Sequence, residues 1–166
     1  MHKYGLELLL WTEQFTKENV KLIEHAKVLG FDGVEIHLGH PATIPIEDVK
    51  KALKENGMEV HFAVTLNEET NSISNDKNVR KSALTFFKKC IDVAYAISEG
   101  DCIVGGVNYA AWGYFTGKSR TKEEWEWAVK NYKKAALYAK EKNIVLGIEP
   151  VNRFETYFIN TAADAV

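Results

Sequence analysis

The feature that most constrains this chain is a rhythm: short apolar runs alternate with longer amphipathic stretches, and no two successive runs are close enough to form a hairpin. Strand-like runs are expected at 4–11, 33–38, 59–66, 102–107 and from 144 up to Glu149. Between them, apolar residues recur at spacings of three and four. Val20, Ile23, Ala26 and Leu29 mark one helix, closed by Gly30, and a second runs from about Pro45 to Asn56 before Gly57. Ala83, Phe86, Phe87, Cys90, Ile91, Ala94 and Tyr95 mark a third over 79–98, ended by Gly100. Thr121 and Glu124 have capping-box spacing at the head of a fourth, whose stripe runs from Trp125 to Ala139 and which Asn143 stops. Asn160 is the expected cap of a fifth helix, which has run only six residues by Val166.

Strand-then-helix order without hairpins predicts a parallel sheet with right-handed crossovers, an α/β fold. Eight such units closing on themselves need at least about 200 residues, so 166 residues cannot close a barrel alone. A final helix barely begun favours an incomplete TIM barrel of about five strands and four to five helices, a single domain over 1–166 equivalent to a barrel's amino-terminal portion, over an open α/β sheet.

At 46% hydrophobic residues the chain can build a real core. Lysine and arginine total 21 against 23 acidic residues, which argues against nucleic acid or an anionic membrane as partner. No run approaches the roughly 20 apolar residues of a membrane span, and no leader pattern opens the chain, so a cytoplasmic protein is expected. Cys90 and Cys102 lie inside a helix pattern and a strand pattern, as buried thiols rather than a disulfide.

Function concentrates where the last strand run ends. The sequence Ile-Val-Leu-Gly-Ile-Glu-Pro-Val-Asn-Arg-Phe-Glu places Glu149 at the carboxyl end of a buried strand, stops the strand with Pro150, and carries Arg153 and Glu155 on the following loop. A carboxylate there belongs either to chemistry or to a structural pair with Arg153. Glu35, at the end of the second strand, suits a pocket or a buried ion pair. His61 faces either the interior of the barrel or a helix, since alternation alone leaves both open. His37 and His40 lack a nearby carboxylate and read as surface or packing groups rather than a metal pair. Trp125 and Trp127 belong to a helix, as core or interface residues.

The segment Glu149-Pro-Val-Asn-Arg-Phe-Glu155, continued by Tyr157, Ile159, Asn160, Thr161 and Ala162, resembles the ketose 3-epimerases that act on D-tagatose and D-allulose (psicose), which have the xylose-isomerase-like barrel. Agreement extends to Leu29-Gly30-Phe31-Asp32 with Glu35 and Ile36, to Ser74, Asp76, Val79 and Arg80, and to Gly105-Gly106 with Trp112. The resemblance implies that Glu149 is both a metal ligand and one of two acid/base carboxylates at C3. It implies that Glu155 contacts the substrate near its carbonyl and that Trp112 walls the pocket, and it leaves Glu35 and His61 as candidate substrate contacts.

It also implies a divalent metal, Mn2+, Co2+ or Mg2+, that stabilises an enediolate of a free ketose; a homo-oligomer is expected as well, since the first and fifth strands are open sheet edges. The remaining ligands, an aspartate, a histidine and a second glutamate, lie on strands six to eight in the family and are absent here, so this chain alone is expected to be inactive. Glu7 and Leu8 depart from the family's aromatic first strand, and Gly113 stands where proline is common. Two other readings remain open: a different sugar isomerase or polyol dehydratase of the same superfamily, and a non-catalytic half-barrel that self-associates through its open edges.

Overall fold

The computed structural model describes residues 2–166. Five strands, β1 (Gly5–Glu7), β2 (Gly33–His37), β3 (Glu59–Ala63), β4 (Cys102–Gly105) and β5 (Ile144–Leu146), form one parallel sheet in sequence order. The crossovers run through α1 (Lys21–Val28), α2 (Ile46–Asn56), α3 (Lys77–Ser98) and α4 (Lys122–Lys140), and a short α5 (Ala162–Ala165) follows β5. Consecutive parallel neighbours joined by helices are what the sequence rhythm predicts.

Strand alternation gives the sheet two unlike faces. Val34, Ile36, Leu38, Phe62, Val64, Leu66, Cys102 and Val104 are buried against the helices. Glu7, Glu35 and His61, adjacent in register, stand on the opposite face with Ile103 and Val145. That second face is open: His61 is exposed, and Ile103 and Val145 are 41% and 62% exposed. β1 and β5 are the edges of the sheet, each with one partner. Among the described residues no helix is long and apolar enough to cross a membrane. Cys90 and Cys102 are free and buried, as expected.

Several boundaries differ from expectation, each for a local reason. The first strand lasts three residues instead of eight. Past Glu7 the chain coils into a 3-10 turn, Leu8–Leu10, in which Trp11 and Thr12 both donate to the Leu8 carbonyl. This turn buries Leu8 and leaves Leu10 exposed. The first helix begins late because Thr16 and Asn19 cap a separate 3-10 turn, Lys17–Asn19. The third begins early, capped by Asp76, whose carboxylate accepts from Asn78 N at 2.8 Å.

Regular β4 stops at Gly105 because Gly106 takes φ +97°. Ladder bonds nevertheless continue, from Val64 N to Gly105 O, Leu66 N to Val107 O and Gly147 N to Val104 O. The cap of the last helix is Thr161 rather than Asn160, since Thr161 and Asp164 exchange the bonds of a capping box. The Asn160 amide is occupied instead with the carbonyls of Val151 and Thr156, both at 2.8 Å.

Candidate active site

The carboxyl ends of the strands and the loops beyond them gather most of the residues that the sequence singled out. Glu149 lies three residues past β5, with its N–H bonded to Gly106 O at 3.3 Å. Its backbone carbonyl accepts from the hydroxyl of Tyr109, a residue only 2% exposed, at 3.0 Å. The main chain is therefore pinned from two sides while the carboxylate stays exposed, with no ion pair or side-chain hydrogen bond among the described residues. Arg153 is not its partner, which removes the structural-pair alternative.

Glu155 and Trp112 meet. The Trp112 indole Nε1 donates to Glu155 Oε1 at 3.4 Å, Gly113 N donates to Glu155 O at 2.8 Å, and the Asn152 amide donates to the second carboxylate oxygen. The loops after β4 and β5 are thus stitched together at the two residues read as substrate contacts. A third loop joins them: Trp112 N donates to Leu66 O at 2.9 Å, and Asn71, 4% exposed, accepts from Ala111 N and from Ile73 N, each at 3.1 Å. Beneath, Tyr109, Phe158, Ile159 and Trp125 pack in a second apolar cluster that supports both loops. Arg120 ties it off, bonding Phe158 O and Asp164 at 2.6 Å each.

On the open face Glu7 and Glu35 are register partners. Burial raises both carboxyls above the ordinary range; Glu149 adds repulsion on Glu7, and Glu7 and then Glu149 add it on Glu35. Acids from β1, β2 and the end of β5 therefore share one electrostatic space, as they do when a sheet curls into a barrel wall. His61 points into the barrel rather than toward a helix, and its Nδ1 accepts from Ile103 N at 3.0 Å. Ala63, Gly105 and Gly147 fill the next layer of the wall with almost no side chain.

The chain does not complete a metal centre. Among the described residues no three His, Cys, Asp or Glu side chains stand together to hold an ion. Glu149 offers one oxygen donor of a suitable class, but the other acids of this face lie on β1 and β2. Glu7, Asn71 and Tyr109 are the residues that sequence reasoning missed. Glu7 entered only as a departure from an aromatic; Asn71 sits in a polar loop where nothing distinguishes it from its neighbours; Tyr109 looks like any loop aromatic.

Comparison with known proteins agrees with this fold. The family described as Xylose isomerase-like TIM barrel matches residues 23–166. The chain is 29% identical to a D-psicose 3-epimerase of Ruminiclostridium cellulolyticum and 30% identical to an L-ribulose 3-epimerase of a Methylomonas species, in each case over 99% of this chain and 57% of the relative. Its fold superimposes on a crystal structure of the D-allulose 3-epimerase from Methylomonas sp. in complex with D-allulose with a TM-score of 0.91 at 29% identity, covering 98% of this chain and 56% of the other. The chain thus spans a little over half the length of the curated relatives that it matches.

Proposed function

Since the chain belongs to the xylose isomerase-like TIM-barrel family, we propose that it supplies the first part of the active site of a ketose 3-epimerase. The observation that carries this reading is the constellation at the strand ends. Glu149 has a fixed backbone and an unengaged carboxylate, next to a floor of glycines and a Trp112–Glu155 pair held by three loops. Similarity to curated ketose 3-epimerases supports it.

In the proposed reaction Glu149 takes the proton from C3 of a free ketose, and the electron pair of that C–H bond moves toward the C2 carbonyl, giving an enediolate. Glu155 accepts hydrogen bonds from the hydroxyls near the carbonyl end, while the Trp112 ring covers the sugar and excludes water. Glu35 and His61 line the wall below as further substrate contacts. Return of the proton to the opposite face needs a second acid, which this chain does not place there.

A divalent ion, Mn2+, Co2+ or Mg2+, would stabilise developing charge on the sugar oxygens. Its remaining ligands would have to come from outside these residues, so no step above runs through it, and the chain by itself is proposed to be inactive. Self-association into a homo-oligomer is part of the proposal, supported by the unpaired edges β1 and β5 and by exposed Ile103 and Val145. A cytoplasmic setting suits its two free, buried thiols.

The test is solvent isotope exchange. Incubation of a full-length protein that contains this chain with a ketose in D2O and a divalent metal is expected to place deuterium at C3, and Glu149→Gln is expected to abolish it, while the chain alone is expected to show no exchange. Label at C1 or C2 would reassign the protein to aldose-ketose isomerisation. Undiminished exchange in the variant would remove Glu149 from the mechanism.

A further inference from the structure

The barrel wall just above Glu35 and His61 carries a polar pair that the proposed reaction does not use. His37, the last residue of β2, turns its ring toward the end of β3, where Nε2 lies 3.1 Å from Thr65 Oγ1. The backbone of Gly39 closes over the other edge of the ring: a Cβ built there would fall 2.8 Å from Cε1 and 3.1 Å from Nδ1. Nδ1 is buried and has no hydrogen-bond partner among the described residues.

These contacts select one protonation pattern. Burial, with a smaller contribution from His40, holds the ring below its ordinary pKa, so it is neutral near pH 7 and carries a single N–H. A hydrogen on Nδ1 would be a buried donor with nothing to donate to, the costlier and rarer kind of orphan. A hydrogen on Nε2 is satisfied by Thr65, and only a lone pair is left unpaired. Thr65 Oγ1 then accepts from His37, and its own hydroxyl hydrogen has no acceptor among the described residues. The Thr65 side chain is on the open side of the sheet, because the flanking Val64 and Leu66 are the residues buried against the helices.

We propose that Thr65 is a specificity-determining residue, oriented by His37, which donates a hydrogen bond to a hydroxyl at the end of the sugar remote from Glu149. The assignment rests on reading this face as a ketose pocket. Thr65 and Glu149 follow β3 and β5, two strand spacings or roughly 9.6 Å apart, with β4 and its Gly105 between them. A ketose whose C3 meets Glu149 and which lies across Gly105 reaches Thr65 with its other end. The acids Glu7, Glu35 and Glu149 on the same face make a neutral polyol end the fitting ligand and oppose a phosphate ester there.

Two measurements test this. Long-range 15N–1H correlation spectra of the encoded protein at pH 7 are expected to show His37 as the Nε2–H tautomer; an Nδ1–H ring or an imidazolium overturns the assignment, whatever the activity. In epimerisation assays of a full-length protein that contains this chain, a ketohexose is compared with its 5-deoxy and 6-deoxy counterparts. Thr65→Val is expected to raise KM for the full sugar about three- to tenfold with little change in kcat, and to leave one of the deoxy sugars unaffected.

His37→Leu should give the same loss, whereas His37→Gln, which keeps a donor near the Nε2 position, should restore the preference. A ratio between full and deoxy sugars that Thr65→Val leaves unchanged overturns the proposal. If a full-length protein that contains this chain turns over no ketose, the epimerase reading fails on its own. The same sugars titrated against tryptophan fluorescence then decide the Thr65 contact, with absent binding or an unchanged Kd ratio counting against it.

Discussion

Replacing Asn71 by alanine tests whether the loops around the site are held by buried hydrogen bonds, and Asn67→Ala is a matched control. Each asparagine accepts two backbone N–H groups through its side-chain oxygen: Ile73 and Ala111 at Asn71, Glu69 and Thr70 at Asn67. They differ in surroundings, since Asn71 is 4% exposed and Asn67 faces solvent. At Asn67 water replaces the lost acceptor, and the cost is that of an ordinary helix cap, about 1 kcal/mol. At Asn71 two buried donors lose their partner, at about 1–3 kcal/mol each. The sum is roughly 2–6 kcal/mol, a large part of the 5–15 kcal/mol typical of a domain.

Urea unfolding followed by far-UV circular dichroism reads both variants. With a slope near 2 kcal/mol per molar, Asn71→Ala should lower the midpoint by roughly 1–3 M and Asn67→Ala by about 0.5 M. Equal losses in the two variants would refute the burial argument. Because Ala111 N is one of the freed donors and Trp112 follows it, the same substitution should weaken the Trp112–Glu155 contact and raise KM more than it lowers kcat.

Two further substitutions probe the frame and the acids. Gly106→Ala forces a side chain into φ +97° with its Cβ 2.7 Å from Val64 O, so a loss of more than about 1–2 kcal/mol is expected in the same unfolding assay. The shift should also displace Glu149, whose N–H bonds to Gly106 O; a variant with wild-type stability and activity would show that the left-handed backbone at Gly106 is not required. Glu35→Gln should stabilise the protein at pH 7. The Glu35 carboxyl is raised in the folded state, so its contribution is fully present below the unfolded value of about 4.3 and is lost as pH rises through the folded one. Thermal melts of the variant and the wild type should therefore differ at pH 7 and converge near pH 4; an equal difference at both would refute the electrostatic origin.

What the sequence could announce was whatever is written in periodicity and in residue type. The three-and-four spacing over Ala83 to Tyr95 and the capping box at Thr121 and Glu124 mark helices whose mechanism is local, and both are present. Strand ends were less legible because a strand stops where its partner stops. Nothing in Leu8-Leu9-Leu10 says that β1 has a neighbour on one side only, or that the chain there turns to bury Leu8. The divided face of the sheet was legible once the strands were in register, and it settled His61, which alternation alone could not.

The site divides along the same line. Glu149 was conspicuous because a charge at a strand end conflicts with its surroundings, and Trp112 and Glu155 because their motif resembles a known one. The residues that hold them, Asn71 and Tyr109, act through bonds that cross some 40 residues of sequence to backbone atoms, which carry no signature in residue type. Such partners are visible only when the loops have been brought together.

The acids of the open face bear on what this site is built to do. Glu7, Glu35 and Glu149 come from different strands, repel one another, and have no cation among the described residues to offset that cost. Cationic side chains elsewhere do find acids, as Arg120 finds Asp164 and Lys142 finds Asp92, so the absence of a partner here is not for want of lysine and arginine in the chain. Packing alone would favour apolar residues at these positions, as at Ile103 and Val145 on the same face. Carboxylates retained against that preference fit a face that has to accept hydroxyl hydrogens and a proton from a ligand. On that argument the instability carried by Glu35 is the counterpart of the reactivity proposed for Glu149, and substitutions that relieve the first should weaken sugar binding while they raise the melting temperature.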